Sequence, residues 1–513
     1  MSTVDSNPSG SSFSLSRILK YNLSGQLIAR ISTFLINLYL IRYVDGNVLG
    51  LVNVRLNLLY MTCSFLSTEP LRKVCLNSDF HIQDAIKYSW LSLPLCISIG
   101  TILAVIWSRL PIQDVEIPEA YPILIACFLL AAAFESLAEP FAIASMKSGR
   151  HGLFAFAQSA LLVVNKVCAI GLLLFGVDSI SALTAGQVVG SAAYVIIYYL
   201  KYAQLSLTKA IDFSPWFNLS MDFEWKRLKL IGTLLFHSVQ KQLITDGSAY
   251  VMTFTQRLTF TEQAVYDAVE RLGSLVARIA LRPLEESCAV YFASHFGRSS
   301  QVTVPVRLAQ LFMAFCRCLI TLGTVIAVFS IPYSSLAVSI YGGSLLTNNN
   351  GALLLSMYTF YLLVMAVNGI VECFAFASMN SKAIFNHGKF LLVTSIGHLL
   401  TNVLLLYLCG APGFIIANVL NMILRIGYNW RYIKTLKNTE RLEFMDVLPD
   451  FTFIVSLLAA LFVMLLSGLI FASTPGLIHT GAHVAVGGVM FLLVIAHLYQ
   501  QGELYQRLWE KLD

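Results

Sequence analysis

The chain has 513 residues, 57% of them hydrophobic and 12% charged, with a formal charge of +6 and a mean hydropathy of +0.72. That balance argues against a soluble globular protein, and apolar runs of about 20 residues along the whole length mark a polytopic helical membrane protein. The basic residues sit in alternate loops rather than one patch, which argues against nucleic acid as a partner.

In chain order, residues 1–21 form a polar, Ser-rich N-terminus without the charged and apolar regions of a cleaved signal. Six spans follow near 22–44, 50–71, 88–108, 122–146, 152–176 and 180–202, an N-lobe over 22–202. A polar linker, 203–227, leads to six more near 228–256, 264–294, 308–331, 353–379, 389–409 and 413–436, a C-lobe over 228–440. Two further spans within 450–499 and a tail, 500–513, bring the expectation to about fourteen transmembrane helices.

The lobes are related by an internal repeat. Glu139–Ser148 reads EPFAIASMKS and Glu372–Ser381 reads ECFAFASMNS, identical at seven of ten positions, with Leu129, Leu130 and Ala133 matched upstream by Leu362, Leu363 and Ala366. Lys and Arg gather at the N-terminus (Arg17, Lys20), after every second span (Arg72, Lys73, Lys147, Arg150, Lys382, Lys389) and in the tail. The positive-inside rule therefore predicts cytoplasmic termini and parallel lobes, with the sequons at Asn22 and Asn218 on the unglycosylated side.

The ionisable residues inside apolar runs carry the functional argument. In the eighth span Asp267, Arg271, Arg278, Arg282 and Glu285 fall within about 60° on an ideal helix, over some 27 Å. A charge at the bilayer centre costs at least about 2.5–3.5 kcal/mol, so such a stripe must line water or pair inside protein. Arg30 and Arg42 in the first span, Arg55, Glu69 and Arg72 in or beside the second, and His237, Lys241 and Asp246 in the seventh extend the set. Internal pairs such as Arg278 with Glu285 or Lys241 with Asp246 are the bland alternative for any one of them. Arginines outnumber acids, however, and a guanidinium fork suits phosphate or pyrophosphate oxygens. A cation exporter would instead need surplus acids. Glu139 and Glu372, beside small residues, read as packed and paired carboxylates or as parts of a cytoplasmic gate. Lys166 and Arg425 stand apart and read as structural.

The ten cysteines lack metal spacing, and His479/His483 have no third ligand nearby, so neither a metal nor a cofactor is expected. There is no GxxxxGK[ST] loop for nucleotide hydrolysis and no large acidic lumenal loop for glycosyl transfer, which argues against an enzyme.

Val52-Asn53-Val54-Arg55-Leu56, Lys241-Gln242, Tyr250 to Phe254, Gly273 to Arg278 and Pro283 with Glu285-Glu286-Ser287 resemble the eukaryotic oligosaccharide-lipid translocation (Rft-type) family. So do Ile340-Tyr341-Gly342-Gly343, Asn368-Gly369 with Glu372-Cys373-Phe374, and Gly413-Phe414-Ile415 through Asn421-Met422. The resemblance places the chain in the MOP superfamily with MATE exporters, and implies an all-α, MATE-like V of two six-helix lobes plus two C-terminal helices. It further implies a non-enzymatic flippase of the endoplasmic reticulum membrane, moving pentamannosyl-chitobiosyl-pyrophosphoryl-dolichol to the lumenal leaflet for protein N-glycosylation. The expected cavity ligands are Arg30, Arg42, Arg55, Arg72, Lys241, Arg278 and Arg282. Glu69, Asp246, Asp267, Arg271, Glu285, Glu286, Glu139 and Glu372 are expected to gate or pair charge. Partners are the dolichol-linked oligosaccharide, membrane lipids and ER glycosylation enzymes. The alternatives are a non-transporting accessory that binds the lipid-linked oligosaccharide or assembly enzymes, and an ion-coupled MATE-like exporter. The resemblance is weakest at Pro70, Ser248, Ala249 and Glu270-Arg271.

Overall fold

The computed structural model describes residues 34–77, 81–111, 120–207, 223–296, 304–437, 443–472 and 476–500. Those residues form helices and connecting turns, without a sheet. The long apolar runs leave little alternative: in hydrocarbon each backbone polar group must be satisfied within its own segment.

Contacts divide the chain into two compact units, Met1–Ala264 and Val265–Asp513. The first holds α1 (Phe34–Tyr43), α2 (Gly46–Cys75), α3 (Ile82–Ser108), α4 (Tyr121–Lys147), α5 (His151–Leu174) and α6 (Ser179–Leu207). It also holds α7 (Trp225–Thr245), which packs on α2, and α8 (Gly247–Thr255). Helix α9 (Phe260–Val276) begins in the first unit and continues in the second. The second unit adds α10 (Arg282–His295), α11 (Val306–Thr347), α12 (Gly351–Ser378), α13 (Ser381–Cys409), α14 (Pro412–Ile433), α15 (Phe451–Phe471) and α16 (Leu477–Gln500). Its core is the cluster of Phe292, Phe312 and Phe374 with Ile370 and Val371, all buried, where α10, α11 and α12 meet.

Among the described residues ten helices are long and apolar enough to cross a membrane. The expected spans outside that set include the seventh, eighth and twelfth, whose hydropathy is lowered by the ionisable residues they carry. The ninth span does not stop near residue 331: α11 runs through Pro332 to Thr347, with a kink at Gly343 (φ 57°).

Regular helix fails where the charges are. Residues Gly50–Leu56 of α2 form a π turn around Arg55, and Ala277–Leu281 form another between α9 and α10. The seventh span breaks at Asp246 (φ −107°, ψ 24°), so α7 and α8 are two pieces rather than one helix over 228–256. A π turn holds about one extra residue, and one residue is about 100° of rotation. The eighth-span stripe is therefore not one straight arc: Asp267 and Arg271 lie before the π turn, Arg282 and Glu285 after it.

Gly50 opens the π turn in contact with the Phe260 backbone, and a Cβ there would lie 2.6 Å from the Phe260 carbonyl carbon. Backbone cannot rotate aside as a side chain can. Gly50→Ala is expected to destabilise by about 3 kcal/mol, at the upper end of overpacking costs. Gly232→Ala on α7, with nothing within 4 Å, is expected to leave stability unchanged or raised. Thermal unfolding of the two purified variants in detergent checks the contrast, and equal midpoints would refute the close approach.

Candidate functional site

At one end of the first unit, α2, α4 and α7 bring four expected site residues close together, with Lys73 beside them. Arg72, in the last turn of α2, forks onto Glu139 of α4, with Nε to Oε1 at 2.5 Å and Nη2 to Oε2 at 2.7 Å. Glu139 is wholly buried. Lys241 of α7 reaches Glu69 Oε1 at 3.0 Å, and Lys73 approaches the same oxygen at 3.4 Å. Two ammonium groups thus share one carboxylate and leave a surplus positive charge. The Lys241–Asp246 pair, the bland alternative for these residues, does not form: Asp246 accepts from Gln242 Nε2 at 2.6 Å. One turn above Glu139, Glu135 accepts from the Tyr60 hydroxyl, from Ser64 at 3.0 Å and from Ser191 at 3.3 Å. Sequence reading passed over Glu135; its signal was position, one helical turn before Glu139 in an apolar run.

Arg55 lies 17 positions before Arg72 on α2, about 25 Å along the axis. It is 2% exposed. Its Nη1 and Nη2 donate to the carbonyls of Pro111 and Leu110 at 3.1 and 3.0 Å, just beyond α3, and Trp107 Nε1 donates back to the Arg55 carbonyl at 3.0 Å. The guanidinium lies 5.8 Å from the Tyr121 ring centre and 5.9 Å from that of Phe260. Among the described residues these partners are all neutral. Beside it is a niche of about 60 Å³ edged by Thr253, Gln256, Arg257 and Gln263. The niche has room for a water or two. Arg42 is exposed at the end of α1, and Arg30 lies outside the described residues. Arg55 and Arg72 therefore sit too far apart to grip one pyrophosphate together.

In the second unit Asp267 and Arg271 pair one turn apart on α9, Oδ2 to Nε at 2.8 Å. The side chains of Arg278 and Arg282 lie outside the described residues. Glu286 is exposed, whereas Glu285 packs its carboxylate over Gly369 of α12, where no Cβ intervenes. Arg425 is not isolated, as its sequence setting suggested. Its Nη2 reaches both oxygens of Glu372, at 2.8 and 2.6 Å, and Asn368 Nδ2 donates to the same carboxylate at 3.1 Å. The repeated acids Glu139 and Glu372 are thus each held by one guanidinium, but from different neighbours: α2, before the repeat helix, and α14, after it. Glu285, Asn368, Glu372 and Arg425 line a cavity of about 770 Å³ whose other walls are mostly alanine and large apolar side chains.

The Rft protein family model matches residues 14–511. Similar curated proteins include the Man(5)GlcNAc(2)-PP-dolichol translocation protein RFT1 of Caenorhabditis elegans, 38% identical over 96% of this chain and 97% of that one. The protein of the same name from Xenopus tropicalis is 33% identical over 93% of each. Among solved structures, lipid II flippase MurJ in an inward closed conformation superposes with a TM-score of 0.62 over 94% of this chain and 99% of that one. At 15% identity that likeness is one of fold.

Proposed function

This chain belongs to the Rft protein family, and from that premise we propose that it translocates pentamannosyl-chitobiosyl-pyrophosphoryl-dolichol across the endoplasmic reticulum membrane for protein N-glycosylation. The observation that carries the reading is the near-full-length match to a protein named for that translocation. The guanidinium of Arg55, whose partners among the described residues are neutral, and the surplus charge at Lys73 and Lys241 supply what a pyrophosphate needs.

The separation of these groups suggests two stations rather than one clamp. The Arg72, Lys73 and Lys241 cluster, at the end that carries the basic loops, meets the anion on the cytoplasmic side. Arg55, about 25 Å away along α2, receives it near the lumenal side. The polyprenyl chain stays in lipid throughout, because burying it in a charged passage would forfeit its hydrophobic stabilisation. No bond is made or broken in this reading, and both termini remain cytoplasmic.

Reconstitution tests it. Purified protein in vesicles is expected to raise, within minutes, the fraction of labelled lipid-linked oligosaccharide in the outer leaflet that becomes protected from added mannosidase. If the protein binds the lipid but leaves its crossing no faster than in protein-free vesicles, the accessory reading replaces this one.

A further inference from the structure

The second unit holds a buried polar seam that the translocation reading does not use. It runs between α13 and α14 and touches α12 through the Glu372–Arg425 pair. Along α13, His387, Ser395, His398 and Asn402 recur on one face at intervals of eight, three and four residues. All four are buried. The helices run antiparallel in constant register: His387 faces Asn429, and His398 faces Asn418. Arg425 comes between these two levels. From His387 to Asn402 the seam covers 15 residues, about 22 Å of a hydrocarbon layer of about 30 Å.

The seam is not self-satisfied. Asn402 Nδ2 lies 3.3 Å from His398 Nε2, but Asn402 Oδ1, His387 Nε2 and Arg425 Nε are buried without a hydrogen-bond partner, and the Asn429 amide has at most the His387 ring that faces it. Asn368 Oδ1, on the floor of the 770 Å³ cavity, is also buried without a partner. An unpaired buried donor or acceptor costs about 1–3 kcal/mol, and several on three adjoining helices are more than packing alone explains. A file of bound water would satisfy them. Ionisable side chains at bilayer depth that face one another across such a file are the usual parts of a proton path.

We propose that this seam is a proton-binding relay in which His387 and His398 accept protons that enter from the cavity past Glu372. A proton on the His387 imidazole meets Glu372 of α12 and Arg425, Tyr428 and Asn429 of α14. A proton on His398 meets Arg425 and Asn418 of α14, with Asn402 on its own helix. Glu372 is the sole carboxylate among these groups and faces His387, so it balances an imidazolium there, and Arg425 shifts toward His398. Proton uptake thereby loosens the pair at the cavity floor. The link to lipid movement rests on the translocation reading; the proton site itself does not.

Two measurements separate these claims. Histidine C2-hydrogen exchange followed by mass spectrometry on the purified protein, between pH 5 and 9, reads each imidazole alone, with exposed His81 as reference. His387 and His398 are expected to exchange and each to show one titration step in that range. If either stays silent, the relay is overturned. In vesicles, a gradient of two pH units is expected to change the wild-type translocation rate at least threefold. In His387→Gln/His398→Gln the ratio of rates with and without the gradient is expected to fall to about one. Equal ratios in wild type and variant overturn the coupling. If the histidines titrate and wild type moves no lipid, the proton site stands and the translocation reading fails.

Discussion

Arg72→Ala is expected to remove about 3–5 kcal/mol of stability, because it strands a buried carboxylate. The Glu139 side chain is 1% exposed and that of Arg72 25% exposed, and both guanidinium-to-carboxylate contacts are short. Each ion alone would face the several kcal/mol penalty of leaving water; together they offset it. Arg72→Met/Glu139→Gln should therefore recover most of the loss, since it leaves no charge behind. A double-mutant cycle read by unfolding in detergent should show coupling of at least about 2 kcal/mol. Arg425→Ala should act in the same direction more weakly, because the Glu372 side chain is 24% exposed and retains Asn368 as a donor. Purified Arg72→Ala as stable as wild type would show that Glu139 is held by something other than this pair.

The repeat made the two acids legible from the chain alone, since a glutamate twice preserved in the same apolar frame has to be packed or paired. It could not show which guanidinium answers each one. Arg72 lies 67 positions before Glu139 and Arg425 lies 53 after Glu372, each two helices away, and only packing of α2 on α4 and of α12 on α14 brings them there. Helix existence was equally legible, because runs of about 20 apolar residues admit one solution in lipid. The π turns and the break at Asp246 were not. Periodicity assumes a constant angle per residue, and the sites where that constant fails, beside Arg55, Asp246 and Arg278, are those where ionisable groups were projected onto an ideal wheel. The α13–α14 seam was missed for a plainer reason. Histidine and asparagine in an apolar run look like isolated exceptions until a second helix in antiparallel register supplies their counterparts.

Arg55→Ala is expected to abolish complementation of a glycosylation-deficient strain and also to lower stability, and the argument turns on separating the two effects. The guanidinium makes two charge-assisted hydrogen bonds to the Leu110 and Pro111 carbonyls. At about 1.5–3 kcal/mol each, their loss predicts about 3–6 kcal/mol, with the carbonyls beyond α3 left without their donors. Arg55→Lys keeps the charge and loses the fork, so one ammonium can meet one carbonyl well and the other poorly; about half the destabilisation is expected. If Arg55 only fastens the end of α3 to α2, the folded fraction of either variant should translocate at the wild-type rate per molecule. If its charge also receives the pyrophosphate, the rate per folded molecule should fall at least tenfold in Arg55→Ala and less in Arg55→Lys, whose charge survives. Vesicle translocation normalised to folded protein decides between them. The second outcome is expected, because capping two carbonyls requires only a neutral donor such as Asn or Gln. Burying a full positive charge whose partners among the described residues are all neutral is an electrostatic penalty that an anion arriving during the working cycle would relieve.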